Sequence, residues 1–145
     1  MTRRQYADWA GQTYEGVKGV VVHHYANEYD GIWNTALYHV FTKNYPTVGY
    51  SVIIQQDGTV NYCVPFDYAT YHVAGRNHEF IGIAFTGNLS LHKPTNMQIW
   101  AFNWLYRHQR WVYPVYGHKE VALVGYSTAC PGNTFHEWEH MLEGR

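Results

Sequence analysis

The sequence predicts a single α/β (α+β) domain built on one mixed β-sheet flanked by helices. Two observations carry this: short apolar, β-branched runs alternate with stretches of helical spacing, and one tight hairpin signal sits among them. The chain's 145 residues suit one compact domain, taken as 1–145. Hydrophobic residues make up 46% and aromatics 18%, ample material for a core that folds without staples.

The first expected strand is Lys18 to His23 (KGVVVH), apolar and β-branched as a buried strand should be. A helix is expected over Asn34 to Phe41, where Trp33, Ala36, Leu37, Val40 and Phe41 fall at helical spacing behind an Asn34-Thr35 start. Two strands, Tyr50 to Gln55 and Thr59 to Val64, flank Asp57-Gly58, a pair that marks a hairpin turn. Ile81 to Phe85 (IGIAF) is a further strand. The strongest helix signal comes next, with Thr95 and Gln98 at capping-box spacing and Pro94 just ahead. Met97, Trp100, Ala101, Trp104, Leu105, His108, Trp111 and Val112 line one face of it, and the tryptophan stripe is read as core. A last short helix is expected near Phe135 to Glu143, starting from Thr134 with Glu137 in the second capping position.

Composition excludes several function classes. Charged residues are only 14% and the formal net charge is −1, so binding to a phosphate backbone has no electrostatic support. No apolar run approaches the roughly 20 residues of a membrane span, so no membrane insertion is expected. Arg3 and Arg4 are followed by no apolar stretch, which implies synthesis in the cytoplasm without a signal peptide. The two cysteines, Cys63 and Cys130, cannot make a disulfide-dense scaffold, although one bridge between them stays open at this stage. Cys63 lies mid-strand and is read as core packing.

The chemistry-bearing residues are far apart. His23-His24 ends an apolar strand, and neighbours on a strand face opposite ways, so one of the pair faces any given site. His118 follows Gly117, and Cys130 precedes Pro131-Gly132 in an expected loop, where functional groups are displayed. Two imidazoles and a thiolate form a borderline-soft set that suits Zn²⁺, and three protein ligands leave a fourth position open, as in catalytic sites. Their spacing matches no local zinc motif.

Four stretches, read in order, resemble the zinc-dependent N-acetylmuramoyl-L-alanine amidases of the phage lysozyme and peptidoglycan recognition protein family. Gly19-Val20-Val21-Val22-His23-His24 is similar to its strand ending in a metal-binding histidine, the first of the pair. Val48-Gly49-Tyr50-Ser51-Val52-Ile53-Ile54, with Asp57-Gly58-Thr59-Val60, is similar to the strand bearing its catalytic tyrosine. Tyr71-His72-Val73-Ala74-Gly75, Asn77 and Ile81 to Asn88 resemble its cleft loop and the strand behind it. Gly117-His118-Lys119-Glu120-Val121 and Thr128-Ala129-Cys130-Pro131-Gly132 resemble the segments carrying the other two ligands.

The resemblance implies a peptidoglycan-recognition-protein-like amidase fold, with Zn²⁺ held by His23, His118 and Cys130. It implies catalytic roles for Tyr50 and Thr128, and substrate contacts from His72 and Asn77. The implied substrate is bacterial peptidoglycan, cut between N-acetylmuramic acid and L-alanine; with no export signal expected and a length close to that of single-domain phage amidases, a monomeric phage or prophage endolysin is the expectation. A non-catalytic peptidoglycan-binding protein and a cytoplasmic muropeptide-recycling amidase share the resemblance. Thr128 stands where many phage-type members carry lysine and eukaryotic-type members commonly carry threonine, and Ala84 where some recycling members carry glutamate. The stretch from His118 to Cys130 is longer than usual, which predicts a loop bulging out near Ala122 to Tyr126.

Overall fold

The computed structural model describes residue 14, residues 16–29 and residues 31–145; the Arg3-Arg4 segment lies outside them. Five strands form one sheet in the order β3-β2-β4-β1-β5. These are β1 (Gly19–His24), β2 (Val52–Ile54), β3 (Val60–Tyr62), β4 (Phe80–Phe85) and β5 (Val115–Gly117). β1 runs parallel to both β4 and β5, and β2 runs parallel to β4. Among the described residues only β2 and β3 pair antiparallel, across the Asp57-Gly58 turn. Parallel strands covered on both faces need continuous apolar sequence, and Val20, Val21 and Val22 are accordingly all fully buried.

The helices are α1 (Ile32–Leu37, continuing as a π turn over Tyr38–Thr42), α2 (Asn96–His108), α3 (His118–Val121) and α4 (Phe135–Trp138, followed by a 3₁₀ turn, Glu139–Met141). Among the described residues no helix is long and apolar enough to cross a membrane.

Side-chain alternation divides the sheet into two faces. Val20 and Val22 of β1, Val52 and Ile54 of β2, and Ile81, Ile83 and Phe85 of β4 join Phe102, Leu105 and Trp138 in the main core. The opposite face carries Val21 and Phe80 in one small cluster and Ile53 and Ala84 in another. His23 shares that second face with Val21, which turns it away from the main core.

α2 is anchored by the expected capping box. Thr95 Oγ1 accepts from the Gln98 backbone N–H at 3.1 Å, and Gln98 Oε1 accepts from the Thr95 N–H at 3.0 Å. The Gln98 side chain is fully buried, and its Nε2 also donates to the carbonyls of Ile54 and Thr86 at 3.1 and 2.9 Å. One amide therefore closes the helix start and ties it to the ends of β2 and β4.

Several expectations need correction. The buried face of α2 is Gln98, Ile99, Ala101, Phe102, Leu105 and Tyr106, while Trp100 and Trp104 are exposed. The helical period holds but the stripe is rotated: Ala101 and Leu105 stay in the core, and Ile99, Phe102 and Tyr106 take the places beside them that the tryptophans were expected to fill. α1 buries no residue fully, and Trp33, Leu37 and Phe41 face outward while Ile32 and Ala36 pack partly against the sheet. Cys63 lies just past β3 and is exposed, so it is no core residue, and both cysteines are free thiols. Thr134 Oγ1 makes no cap; it donates to the Leu89 carbonyl at 2.7 Å. β5 and α3 carry no sequence expectation at all.

Candidate metal centre

The site forms where the C-terminal end of β1 meets two loops. His23 is 1% exposed and sits opposite Ala84 in the β1–β4 register. The small alanine leaves the neighbouring space to larger rings. His118 opens α3 directly after β5, whose Gly117 pairs with Val22. This register brings the His118 ring to 4.6 Å from that of His23, centroid to centroid.

Cys130 arrives on the loop from the other side. The Lys119 backbone N–H donates to the Cys130 carbonyl at 2.8 Å, and the Cys130 N–H donates to Thr128 Oγ1 at 3.1 Å. Gly132 then turns the chain at φ +109°, and a Cβ there would lie 2.4 Å from the Leu89 backbone, so only glycine fits. Leu89 in turn donates its N–H to His24 Nδ1 at 3.0 Å. His24 thus braces the loop after β4.

The imidazole nitrogens of His23 and His118 and the Cys130 sulfur offer donors that all lie within 4.8 Å of one another. Cys130 Sγ is 3.6 Å from His23 Nδ1. A sulfur and a nitrogen placed tetrahedrally around Zn²⁺, at about 2.3 and 2.0–2.1 Å from it, are about 3.6 Å apart. The donor chemistry and this spacing both fit Zn²⁺.

Burial sets the protonation of the three donors. Burial pushes the pKa of His23 well below the usual histidine range, with the neighbouring His72, His118 and His24 adding to the effect. Burial likewise lowers His118. These rings are neutral, with lone pairs available to a metal. Burial pushes the Cys130 thiol up to about 12, partly offset by the His24 backbone N–H and the Lys119 charge. Ligation by Cys130 therefore entails loss of its proton to solvent or base.

Every residue expected at the site lines one cleft of about 890 Å³, namely Tyr50, Thr128, His72 and Asn77 with the three donors. The Tyr50 ring is 5.1 Å from that of His23, and burial raises the Tyr50 pKa above its ordinary value, with Cys130 contributing. Asn77 Oδ1 accepts from the backbone N–H groups of His72 and Val73, at 2.9 Å each. Ala122 to Tyr126 forms an exposed loop at the cleft edge, with Val124 fully exposed, as the long spacing implied.

The sequence reading assigned no role to His39, yet it lines the same cleft. His39 Nδ1 accepts from the Gly49 N–H at 2.9 Å and its ring lies 5.5 Å from that of Tyr50. It therefore steadies the segment that presents Tyr50. A Gly49 Cβ would meet the Tyr71 carbonyl at 2.6 Å, so this stretch is tightly held.

The N-acetylmuramoyl-L-alanine amidase family matches residues 13–133. The chain belongs to this family. As a member of the amidase family it is 32% identical over 120 residues to a peptidoglycan recognition protein of Trichoplusia ni, a match covering 76% of this chain and 64% of that protein. It is 31% identical over 126 residues to peptidoglycan-recognition protein SC2 of Drosophila melanogaster, covering 77% and 66%. The chain thus spans a little under two thirds of the length of these curated relatives. Among solved structures, it resembles the N-acetylmuramoyl-L-alanine amidase LysC from Clostridium intestinale, with TM-score 0.78 and 25% identity over 92% of this chain and 89% of that one. Drosophila PGRP-LB shares the fold, with TM-score 0.77 and 21% identity over 88% and 83% of the two chains.

Proposed function

We propose that this chain is a zinc-dependent hydrolase that cleaves the amide joining N-acetylmuramic acid to L-alanine in bacterial peptidoglycan. The observation that carries the reading is the convergence of His23, His118 and Cys130 on one point of an open cleft, three donors where a structural zinc site has four. When bound, Zn²⁺ supplies Lewis-acid polarisation of the scissile carbonyl and activation of water at neutral pH.

The chain's own residues supply the remainder. Tyr50, a phenol that is protonated at neutral pH even at its ordinary pKa of about 10 and is held so more firmly by burial, acts as a hydrogen-bond donor to the oxyanion that develops at the lactyl carbonyl. Thr128 Oγ1 accepts from the Cys130 N–H, which leaves its own hydroxyl hydrogen for a second donation. The cleft wall formed by Tyr45 and Tyr71, whose rings lie 5.1 Å apart, offers the apolar surface that sugar rings pack against. The metal-ligating cluster includes no carboxylate, and Ala84 beside His23 provides none. Removal of the water's proton accordingly falls to solvent, with Tyr50 orienting the water as a donor, and this favours a wall-degrading, endolysin-type enzyme over the recycling reading.

Wall binding without turnover is the second reading, favoured by the name of the relatives as recognition proteins. Digestion of purified sacculi with and without chelator separates the two. The hydrolase reading expects new alanine amino termini that disappear with chelator, and no new reducing sugar ends in either case. Binding to sacculi with no new ends of either kind would establish the receptor instead, and reducing ends would mean a glycosidase.

A further inference from the structure

His72 lies beside the metal donors without being one of them. Its Nε2 is 2.8 Å from the carbonyl oxygen of Phe80, and its Nδ1 is 2.9 Å from His23 Nε2. A carbonyl oxygen only accepts, so a neutral His72 ring carries its proton on Nε2 and a lone pair on Nδ1. That lone pair accepts from His23, which places the His23 proton on Nε2. His23 Nδ1 is then unprotonated, and it is this atom that faces Cys130 Sγ at 3.6 Å. One backbone carbonyl thus sets the direction of the whole chain.

We propose that His72 is a positioning residue for the metal centre, holding His23 in the Nε2–H tautomer with Nδ1 presented to the ion. The inference rests on the zinc reading above. A metal-ligating histidine commonly donates its second ring N–H to an outer partner that fixes tautomer and orientation; here the partner is another imidazole. With both nitrogens engaged and only 8% of the residue exposed, His72 has no ring nitrogen left for a substrate.

The fold builds a seat for this ring. Gly82 pairs with Val21 on the face of the sheet that carries His23, and a Cβ on Gly82 would lie 2.7 Å from His72 Cγ and 2.8 Å from its Nδ1. Glycine weakens a strand interior unless a close approach requires it, and the ring packed on Gly82 is that approach. The loop is fixed as well, because Asn77 Oδ1 takes the N–H groups of both His72 and Val73.

The test has two readouts, neither of which is turnover. In the folded, metal-free wild-type protein, ¹⁵N ring shifts should show His23 as the Nε2–H tautomer; an Nδ1–H tautomer overturns the proposal. Zn²⁺ affinity, measured by competition with a chromophoric chelator, should fall about 10–100-fold in His72→Phe. It should recover most of that loss in His72→Gln, whose amide can both accept from His23 and donate to Phe80. Gly82→Ala, which displaces the ring without altering it, should weaken binding in the same direction. Wild-type binding of Zn²⁺ with equal affinity in a folded His72→Phe or Gly82→Ala overturns the positioning role alone. Failure of the wild type to bind Zn²⁺ overturns the functional reading, while the tautomer measurement still judges the His72 relay.

Discussion

The backbone N–H of Lys119 donates to the carbonyl of Cys130 at 2.8 Å, which ties the helix start that carries His118 to the loop that carries Cys130 rather than leaving each donor to find the ion alone. His118 precedes that N–H by one residue, and Cys130 carries the carbonyl. The donors are therefore held close by the fold itself, and the entropy of assembling them is largely lost on folding rather than on binding.

Replacing Cys130 by serine should lower Zn²⁺ affinity by about 100-fold or more, since the thiolate is the softest ligand of the set. The sheet core does not include Cys130. The metal-free variant should accordingly melt within a few degrees of the metal-free wild type, a comparison made by calorimetry alongside metal analysis.

Tyr50→Phe should reduce kcat by about 10²–10³ while leaving the Zn²⁺ content at the wild-type level. Turnover on sacculi or muramyl peptides, measured together with metal stoichiometry, checks this. Undiminished kcat would remove Tyr50 from the reaction.

Gln98→Leu should destabilise the protein by about 2–4 kcal/mol, because three buried hydrogen bonds are lost together and polar backbone groups are left short of partners. The cleft lies on the other face of the sheet, so Zn²⁺ affinity should be unchanged. Urea unfolding followed by fluorescence reads the stability difference.

Glu79 supplies a pH signature. Its carboxylate accepts from Lys18 Nζ at 2.6 Å and from Arg76 Nε at 2.5 Å, and these two partners, Lys18 first, hold its pKa below the usual carboxylate value. The folded state thus binds this proton less readily than the unfolded one. The stabilisation is complete above the unfolded carboxylate pKa of about 4.3 and is lost as pH falls through the depressed folded value. Denaturant midpoints should fall more steeply between about pH 5 and pH 3 in the wild type than in Glu79→Gln, by a modest amount because the pair is partly solvated.

How much of this was legible in the sequence depends on whether a signal is local. β1, the Asp57-Gly58 hairpin and the Thr95–Gln98 capping box each depend on neighbours within a few residues, and each stands where expected. β5 was invisible because three residues following Pro114 carry no periodicity and are recruited by pairing with Val20 to Val22. The tryptophans of α2 were misplaced because two apolar stripes fit one helix, and only the partner surface decides which is buried. The three candidate donors stood out by residue type and setting, and the family resemblance chose His23 over His24 and joined them into one set. No spacing rule reaches across the sequence separation of 107 between His23 and Cys130. His39 was missed for a related reason: its contact with Gly49 exists only once α1 has folded against the loop ahead of β2.

X-ray absorption at the zinc edge of the reconstituted protein tests the central claim most directly. The account predicts one ion per chain, with a single sulfur at about 2.3 Å and two imidazole nitrogens at about 2.0–2.1 Å, the sulfur contribution vanishing in Cys130→Ser. A spectrum without sulfur, or one unchanged by that substitution, would contradict it.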